Sequence, residues 1–156
     1  MKFRILNSEE LLHFDEDLKH FLIINGVSNE EWIELNTNNP QKAVELVGMF
    51  SDMIWQRVYE KIEYLEFQTE SQLFLFNCKK DEIDLIVLKS DSKDVNFSTP
   101  ELIHESLVNH AKKITYFQQS KKYNVEREVE IFNMVERGCI VSSKEFYQKI
   151  QNIIQE

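Results

Sequence analysis

The run NPQKAVELVGMFSDMIWQRVYEKIEYL, residues 39–65, is the stretch that decides the predicted fold. Asn39 is a typical helix cap and Pro40 suits the first helical position, so a helix is predicted to begin here. At 100° per residue, the apolar side chains of this helix would cover nearly two thirds of its circumference. So broad an apolar surface, with Phe50 and Ile54 in the middle of its inward face, must be wrapped by neighbours. The run therefore predicts a central helix of about seven turns that other elements surround.

Capping patterns predict two helices before the central one. Asn7 and Glu10 form a capping box ahead of a helix that Gly26 would end in a left-handed conformation. Ser28 then caps a short helix that carries Trp32. The N-terminal part of the chain is thus predicted to be entirely helical.

Beyond the central helix, the apolar period changes from 3.6 to 2 residues at Tyr64. Two more strand-like runs follow, Leu73 to Cys78 and Ile83 to Leu88, and the linker between them is short enough for a hairpin. Further helices are predicted from Ser98 and Thr99 through Ile114, from Asn124 to Gly138, and after a capping box of Ser142 and Glu145. We therefore expect an α+β fold, mainly helical, with a small three-stranded antiparallel meander in one globular domain, residues 1–156.

Composition narrows the class of protein. Hydrophobic residues make up 42% of the 156, and there are only three glycines and two prolines, as in a compact globular protein. Acidic residues outnumber basic ones by 27 to 18, and the first 60 residues carry 11 acids against 5 bases. Such a charge repels phosphate backbones, so no nucleic-acid partner is expected.

The same sequence predicts a cytoplasmic location. Asn7, Ser8, Glu9 and Glu10 interrupt the beginning of the chain, which lacks the long apolar run of a signal peptide. No apolar run reaches the length of a membrane span, so we expect no membrane association.

A recurring acid–histidine spacing is the strongest hint of metal chemistry. Three of the four histidines follow an acid by three residues, in the pairs Glu10 and His13, Asp17 and His20, and Glu101 and His104. Carboxylate-bridged di-iron bundles use this spacing in their cores. The first two pairs here flank the apolar seam of their helix, where side chains are usually solvated. A metal-binding protein or small enzyme using His13, Asp17, His20 and His104 is therefore the alternative, and not the preferred, hypothesis.

Other sources of catalysis are weaker still. Asp52, Glu60 and Glu63 lie on one polar strip of the central helix, which a solvated face explains. Cys78 and Cys139 are far apart and lack metal-ligand spacing, so burial as small apolar residues is the simpler interpretation, although Cys139 precedes a helix N-terminus. No nucleophile or phosphate-binding motif occurs. We expect no catalytic residue, no cofactor and no metal ligand.

Several segments resemble a known family. Phe50–Trp55, Tyr64–Glu66 and Glu136–Cys139, with the opening helix and Gly26, are similar to a group of small acidic cytoplasmic proteins from Bacteroidetes-type bacteria that is known only as a domain of unknown function. The resemblance covers nearly the whole chain. It implies no activity and therefore no catalytic residue.

These observations favour a non-enzymatic protein-interaction or regulatory protein whose partner is another protein. The acidic excess of the first 60 residues would steer a basic surface towards the chain. Trp32, in a helix with little apolar sequence of its own, would then be an aromatic anchor at the interface. Docking of Trp32 onto the protein's own core is the competing interpretation.

Overall fold

A computed structural model describes residues 1–155. Within these residues it contains seven α-helices and a five-stranded antiparallel sheet, so the fold is α+β. The helices are α1 (Ser8–His13), α2 (Asp15–Ile24), α3 (Asn29–Asn38), α4 (Pro40–Glu60), α5 (Pro100–Asn109), α6 (Arg127–Glu136) and α7 (Lys144–Gln155), and a 3₁₀ turn covers Ala111–Lys113. The strands are β1 (Tyr64–Gln68), β2 (Gln72–Cys78), β3 (Glu82–Lys89), β4 (Thr115–Lys122) and β5 (Ile140–Val141). None of the described helices is both long and apolar enough to cross a bilayer.

The chain divides into two compact units, Met1–Tyr59 and Glu60–Glu156, called the N-terminal unit and the C-terminal unit below. Each has an apolar core of its own. The expectation of a single domain over residues 1–156 stays a prediction.

Four helices build the N-terminal unit around one aromatic side chain of α4. Phe50 is fully buried, and its ring lies 5.5 Å from that of Phe21, measured between centroids. Aliphatic side chains from α2 and α4 complete this core, namely Leu18, Leu22, Leu46 and Ile54. The predicted inward face of α4 is therefore confirmed at Phe50 and Ile54.

Two polar side chains of α4, those of Ser51 and Asp52, bind the segment that precedes α1. Ser51 is fully buried, and its Oγ accepts a hydrogen bond of 2.9 Å from the backbone N–H of Leu6. The Asp52 carboxylate accepts hydrogen bonds from the backbone N–H groups of Lys2 and Phe3, at 2.9 and 3.0 Å. The small side chain of Ser51 thus permits a close approach by another backbone, and Asp52 is more than a solvated acid.

The expectation that neighbours cover the whole apolar arc of α4 is wrong. Val44 is 58% exposed and Val58 is 37% exposed, so part of the apolar arc remains open to solvent. The helix has 21 residues, about six turns and not about seven, and it ends at Glu60 ahead of the strand that begins, as predicted, at Tyr64. The apolar pattern shows how much of the helix surface can be buried. The number of neighbouring elements determines how much of that surface is buried.

The sheet of the C-terminal unit has the strand order β4-β3-β2-β1-β5. The predicted meander is present as β1, β2 and β3, but two strands extend it, so the expected three-stranded sheet is wrong in its size. One face of the sheet carries the apolar residues Leu73, Leu75, Ile86 and Leu88. On this face α5 and α7 pack through Ile103 and Ile150, which are 3% and 0% exposed.

Helix ends follow local capping chemistry, with small displacements from the expected positions. The Asn7–Glu10 box and the Ser28 and Thr99 caps are confirmed, as are the left-handed glycines Gly26 and Gly138, with φ of 78° and 111°. The first helix is interrupted at Phe14, α5 ends at Asn109 before a 3₁₀ turn, and α6 begins at Arg127 and not at Asn124. In α7 the cap is Ser143 and not Ser142, since the Ser143 Oγ accepts from the Phe146 N–H at 3.1 Å.

Replacing Phe50 is predicted to destabilise the protein more than replacing Asp52. Phe50→Ala leaves a cavity in a closed core and should cost about 3–5 kcal/mol. Asp52→Ala removes two hydrogen bonds at a partly exposed site and should cost about 1–3 kcal/mol. Urea unfolding of both variants measures the difference, and equal losses would contradict the assigned helix faces.

A pH-dependent contribution is predicted from the Arg4–Glu10 pair. The Arg4 guanidinium, at 2.8 Å from both carboxylate oxygens, and then the Asn7 backbone N–H lower the pKa of Glu10 from 4.5 to about 2. Because the pKa is lower in the folded state, the stabilisation is present above pH 4.5 and is lost as the pH falls towards 2. Glu10→Gln should therefore be less stable than the wild type at pH 7, and the difference should disappear as the pH falls below 2. A difference in unfolding free energy that did not change with pH would contradict the assignment.

Candidate functional site

An apolar cleft of about 560 Å³ opens in the C-terminal unit. It lies between α5 and α7, and residues of β1 and of the β5–α7 connection complete its walls. We call it the α5–α7 cleft. On α5 the lining residues follow the helical spacing i, i+3, i+4, i+7, namely Pro100, Ile103, His104 and Leu107. On α7 they are Phe146, Lys149 and Ile150, which also share one helix face.

The floor and walls of the cleft are apolar. Ile103 and Ile150 form the floor and are part of the core of the unit. Leu107 and Phe146 rise from the floor as partly buried side chains packed against the same core. Val141 of β5 is 63% exposed at the opposite wall. An apolar group entering the cleft would therefore contact side chains already held rigidly by the core.

Three ionisable side chains lie at the rim. Glu66 of β1 is partly exposed, whereas His104 and Lys149 are exposed. Within residues 1–155, none of these three side chains has a hydrogen-bond or ion-pair partner. Both signs of charge are thus available to a ligand at the rim without breaking an internal pair.

Ser142 adds a polar group at the same place. Its backbone N–H donates to the Tyr64 carbonyl at 2.9 Å, which ties the β5–α7 connection to β1. Its Oγ is buried and has no hydrogen-bond partner among the described residues. Buried hydroxyl groups without partners are rare in folded proteins. Ser142 is therefore a polar residue of the cleft lining whose hydroxyl group is not engaged among the described residues.

The residue singled out by the sequence, Trp32, lies in the N-terminal unit. It is partly buried and packs against the core that contains Phe50. Its neighbour Ile33 is 63% exposed. The role of Trp32 as a partner-binding anchor stays a prediction.

The histidines of the metal hypothesis are not assembled into a site. His13, Asp17 and His20 are exposed on the first two helices, and the Glu10 carboxylate is bound by Arg4. His104 belongs to the other unit, at the rim of the α5–α7 cleft. In the described part of the chain, no three His, Cys, Asp or Glu side chains are grouped so that they would hold a metal ion. The metal hypothesis therefore has no geometric support.

The sequence does not reveal the cleft. The helical spacing of Ile103, Leu107, Phe146 and Ile150 is typical of residues that face a core. That spacing cannot show where two helices leave a gap between them. The sequence does not mark Glu66 as a site residue, because an acid that alternates with apolar residues in a strand is ordinarily solvated.

The family assignment follows from the comparison with family models. A model described as "Family of unknown function (DUF6495)" matches residues 1–155. The chain belongs to this family. The resemblance to a family of unknown function is thereby confirmed over almost the whole chain. The search of the curated proteins and that of the solved structures found no match. Family membership supplies no activity, so the function of the cleft is argued from its geometry.

Neither thiol is predicted to react rapidly in the native protein. Burial raises the pKa of Cys78 from 9.0 to about 12 and raises that of the half-buried Cys139 as well. At neutral pH both are therefore held as the less nucleophilic thiol. Iodoacetamide should label both cysteines quickly only after unfolding in guanidinium, with Cys139 ahead of Cys78 in the native protein. Native labelling of Cys139 as fast as in the unfolded chain would contradict this.

Proposed function

We propose that this chain is a non-enzymatic protein-interaction protein, and that the α5–α7 cleft binds a short segment of another protein. The observation that carries the proposal is an apolar cleft whose rim side chains, Glu66, His104 and Lys149, have no partner among the described residues. A preformed apolar pocket with a few convergent polar groups is the usual form of a binding site. A cytoplasmic location, expected from the start of the sequence, is part of the same proposal.

The size of the cleft suits several apolar side chains of a short segment. Its volume of about 560 Å³ lies within the range of ligand sites. Burying one leucine or phenylalanine side chain contributes about 1.5–3 kcal/mol. One such contact gives only weak binding, so the polar rim must contribute as well.

The rim determines which segment fits. Glu66 is the least exposed of the three rim groups, so its carboxylate gains most from a cation brought beside it. His104 and Lys149 stand at the exposed rim, where a backbone carbonyl or a carboxylate would meet them. We infer that the partner presents an apolar residue next to a basic group. A basic segment also agrees with the net charge of −9, which favours approach of cations and disfavours nucleic acid.

The surface of α3 around Trp32 is a second proposed contact, favoured by the exposed side chain of Ile33. Ile33 is 63% exposed on a helix that also carries Glu30, Glu31 and Glu34. An acidic surface with an exposed apolar residue suits a basic, amphipathic partner. Because Trp32 itself packs on the core, it would support this surface more than it would anchor a partner.

Filling the cleft is predicted to abolish partner binding. Val141→Trp would place a large side chain in the opening, and the residue is 63% exposed, so the fold should tolerate the change. Val125→Trp is the matched control, since Val125 is 49% exposed in the same unit and does not line the cleft. In affinity capture from cells of the source organism, one protein should be recovered with the wild type and with Val125→Trp. Its recovery with Val141→Trp should fall at least about tenfold, which corresponds to 1.4 kcal/mol.

The capture experiment contradicts the proposal if all three baits recover the same proteins equally. With the partner in hand, Glu66→Lys should weaken binding more than Glu66→Gln, since it places a cation beside the partner's cation. Equal effects of the two substitutions would remove the basic group from the proposed segment. Circular dichroism of each variant shows that a loss of binding is not a loss of folding.

A further inference from the structure

The strand β4 forms an open edge of the sheet. It pairs with β3 along eight consecutive residue pairs, from Thr115 opposite Lys89 to Lys122 opposite Glu82, and among residues 1–155 no strand pairs with its other side. All eight of its residues are exposed. In an antiparallel pair, alternate residues point both N–H and C=O away from the partner strand. Four residues of β4 therefore present unpaired backbone groups to solvent.

This edge lacks most of the devices that prevent strand pairing. Edge strands are usually kept short, interrupted by proline, bulged or covered. The opposite edge, β5, is only two residues long. The β4 strand has eight residues, contains no proline and keeps an unbroken register with β3. Its only protective feature is a pair of lysines at one end, Lys121 and Lys122.

We propose that β4 pairs in antiparallel orientation with β4 of a second copy of this chain, which joins the two five-stranded sheets across a two-fold axis. A two-fold axis between antiparallel strands requires one residue to lie opposite itself. The register centred on Gln119 satisfies this. It places Phe117 opposite Lys121 of the other copy, and Tyr116 opposite Lys122.

Complementary side chains favour a second copy at this edge. Residues 111–123 contain four lysines and no acid, so two copies can pair here only in a register that keeps the lysines of the strands apart. In the register about Gln119 no lysine faces a lysine. Each faces an aromatic ring, a contact in which the ammonium group is attracted to the ring. The same kind of contact already occurs within one chain, where Lys89 Nζ lies 5.6 Å from the centroid of the Phe117 ring.

The lysines therefore select a register and do not block pairing. Lys121 also has its charge compensated within the chain, since its Nζ lies 3.1 Å from Glu130 Oε1. Seven residue pairs make a small interface, so the dimer should be weak and concentration-dependent. This inference concerns a different surface from the α5–α7 cleft and does not rest on the proposed function.

Disulfide cross-linking tests the pairing directly. In a Cys139→Ser background, Gln119→Cys places a thiol opposite its own copy, where directly opposed Cβ atoms are about 4.5–5.5 Å apart. Mild oxidation should convert it to a covalent dimer. Thr115→Cys is the control, because its two copies would lie about 27 Å apart at about 3.4 Å per residue. Absence of the Gln119→Cys dimer, or equal cross-linking of Thr115→Cys, overturns the proposed pairing.

A pair of charge variants tests the register without new cysteines. Tyr116 is 53% exposed, so both substitutions should fold. Tyr116→Lys puts two ammonium groups opposite each other at Lys122 and should weaken the dimer at least tenfold in sedimentation equilibrium. Tyr116→Glu puts a carboxylate opposite Lys122 and should keep or strengthen it. Equal effects of the two substitutions, a dimer that neither changes, or a wild type that stays monomeric at millimolar concentration would each overturn the proposal. A monomer whose edge instead binds an extended acidic peptide would assign β4 to another protein.

Discussion

The packing of α5 and α7 on one face of the sheet is the contact on which the C-terminal unit depends. Leu73, Leu75, Ile86 and Leu88 give that face its apolar surface, and Ile103 and Ile150 cover it. A helix is about 10 Å across and strands are about 4.8 Å apart, so one helix covers roughly two strands. Two helices therefore fall short of covering five strands, and the segment before α5 adds cover through Val95 and Phe97. What remains open in the unit includes the gap between the two helices and the β4 edge.

That remainder occurs in two forms with different chemistry. Between the two helices it is an apolar cleft with unpaired charged side chains at its rim, which suits a side chain of a partner. At the β4 edge it is a row of open backbone groups flanked by lysines, which suits another strand. Side-chain burial gives selectivity for a residue type, whereas in strand pairing the main-chain hydrogen bonds give the affinity and the side chains set the register. The two surfaces would therefore recognise different partners.

Local chemistry made part of this structure predictable. Asn7, Ser28 and Thr99 act within one helical turn, so their positions predicted three helix starts. The strand β4 was not predicted, because all its residues are exposed and its apolar and polar residues do not alternate. Its existence depends on the register with β3, which is a long-range property. The gap between α5 and α7 was hidden for the same reason, since a lining residue such as Phe146 has the same spacing as a fully buried one. The hydrogen bonds of Asp52 could not be predicted either, because its partners are backbone groups of residues 2 and 3 that no sequence pattern connects to it.

The claim that the α5–α7 cleft accepts an apolar side chain beside a cation is tested most directly by methyl NMR of isoleucine-labelled protein during titration with leucine amide. This probe carries an isobutyl group and an ammonium group, the two features inferred for the partner. Ile103 and Ile150 line the cleft, so their methyl resonances should shift in proportion to the bound fraction of the protein. Ile83 and Ile131 are buried and do not line the cleft, so their methyl resonances should stay unchanged. Glu66→Gln should reduce the apparent affinity. Shifts of equal size at all four isoleucines, or none at Ile103 and Ile150 up to the solubility limit of the probe, would contradict the claim.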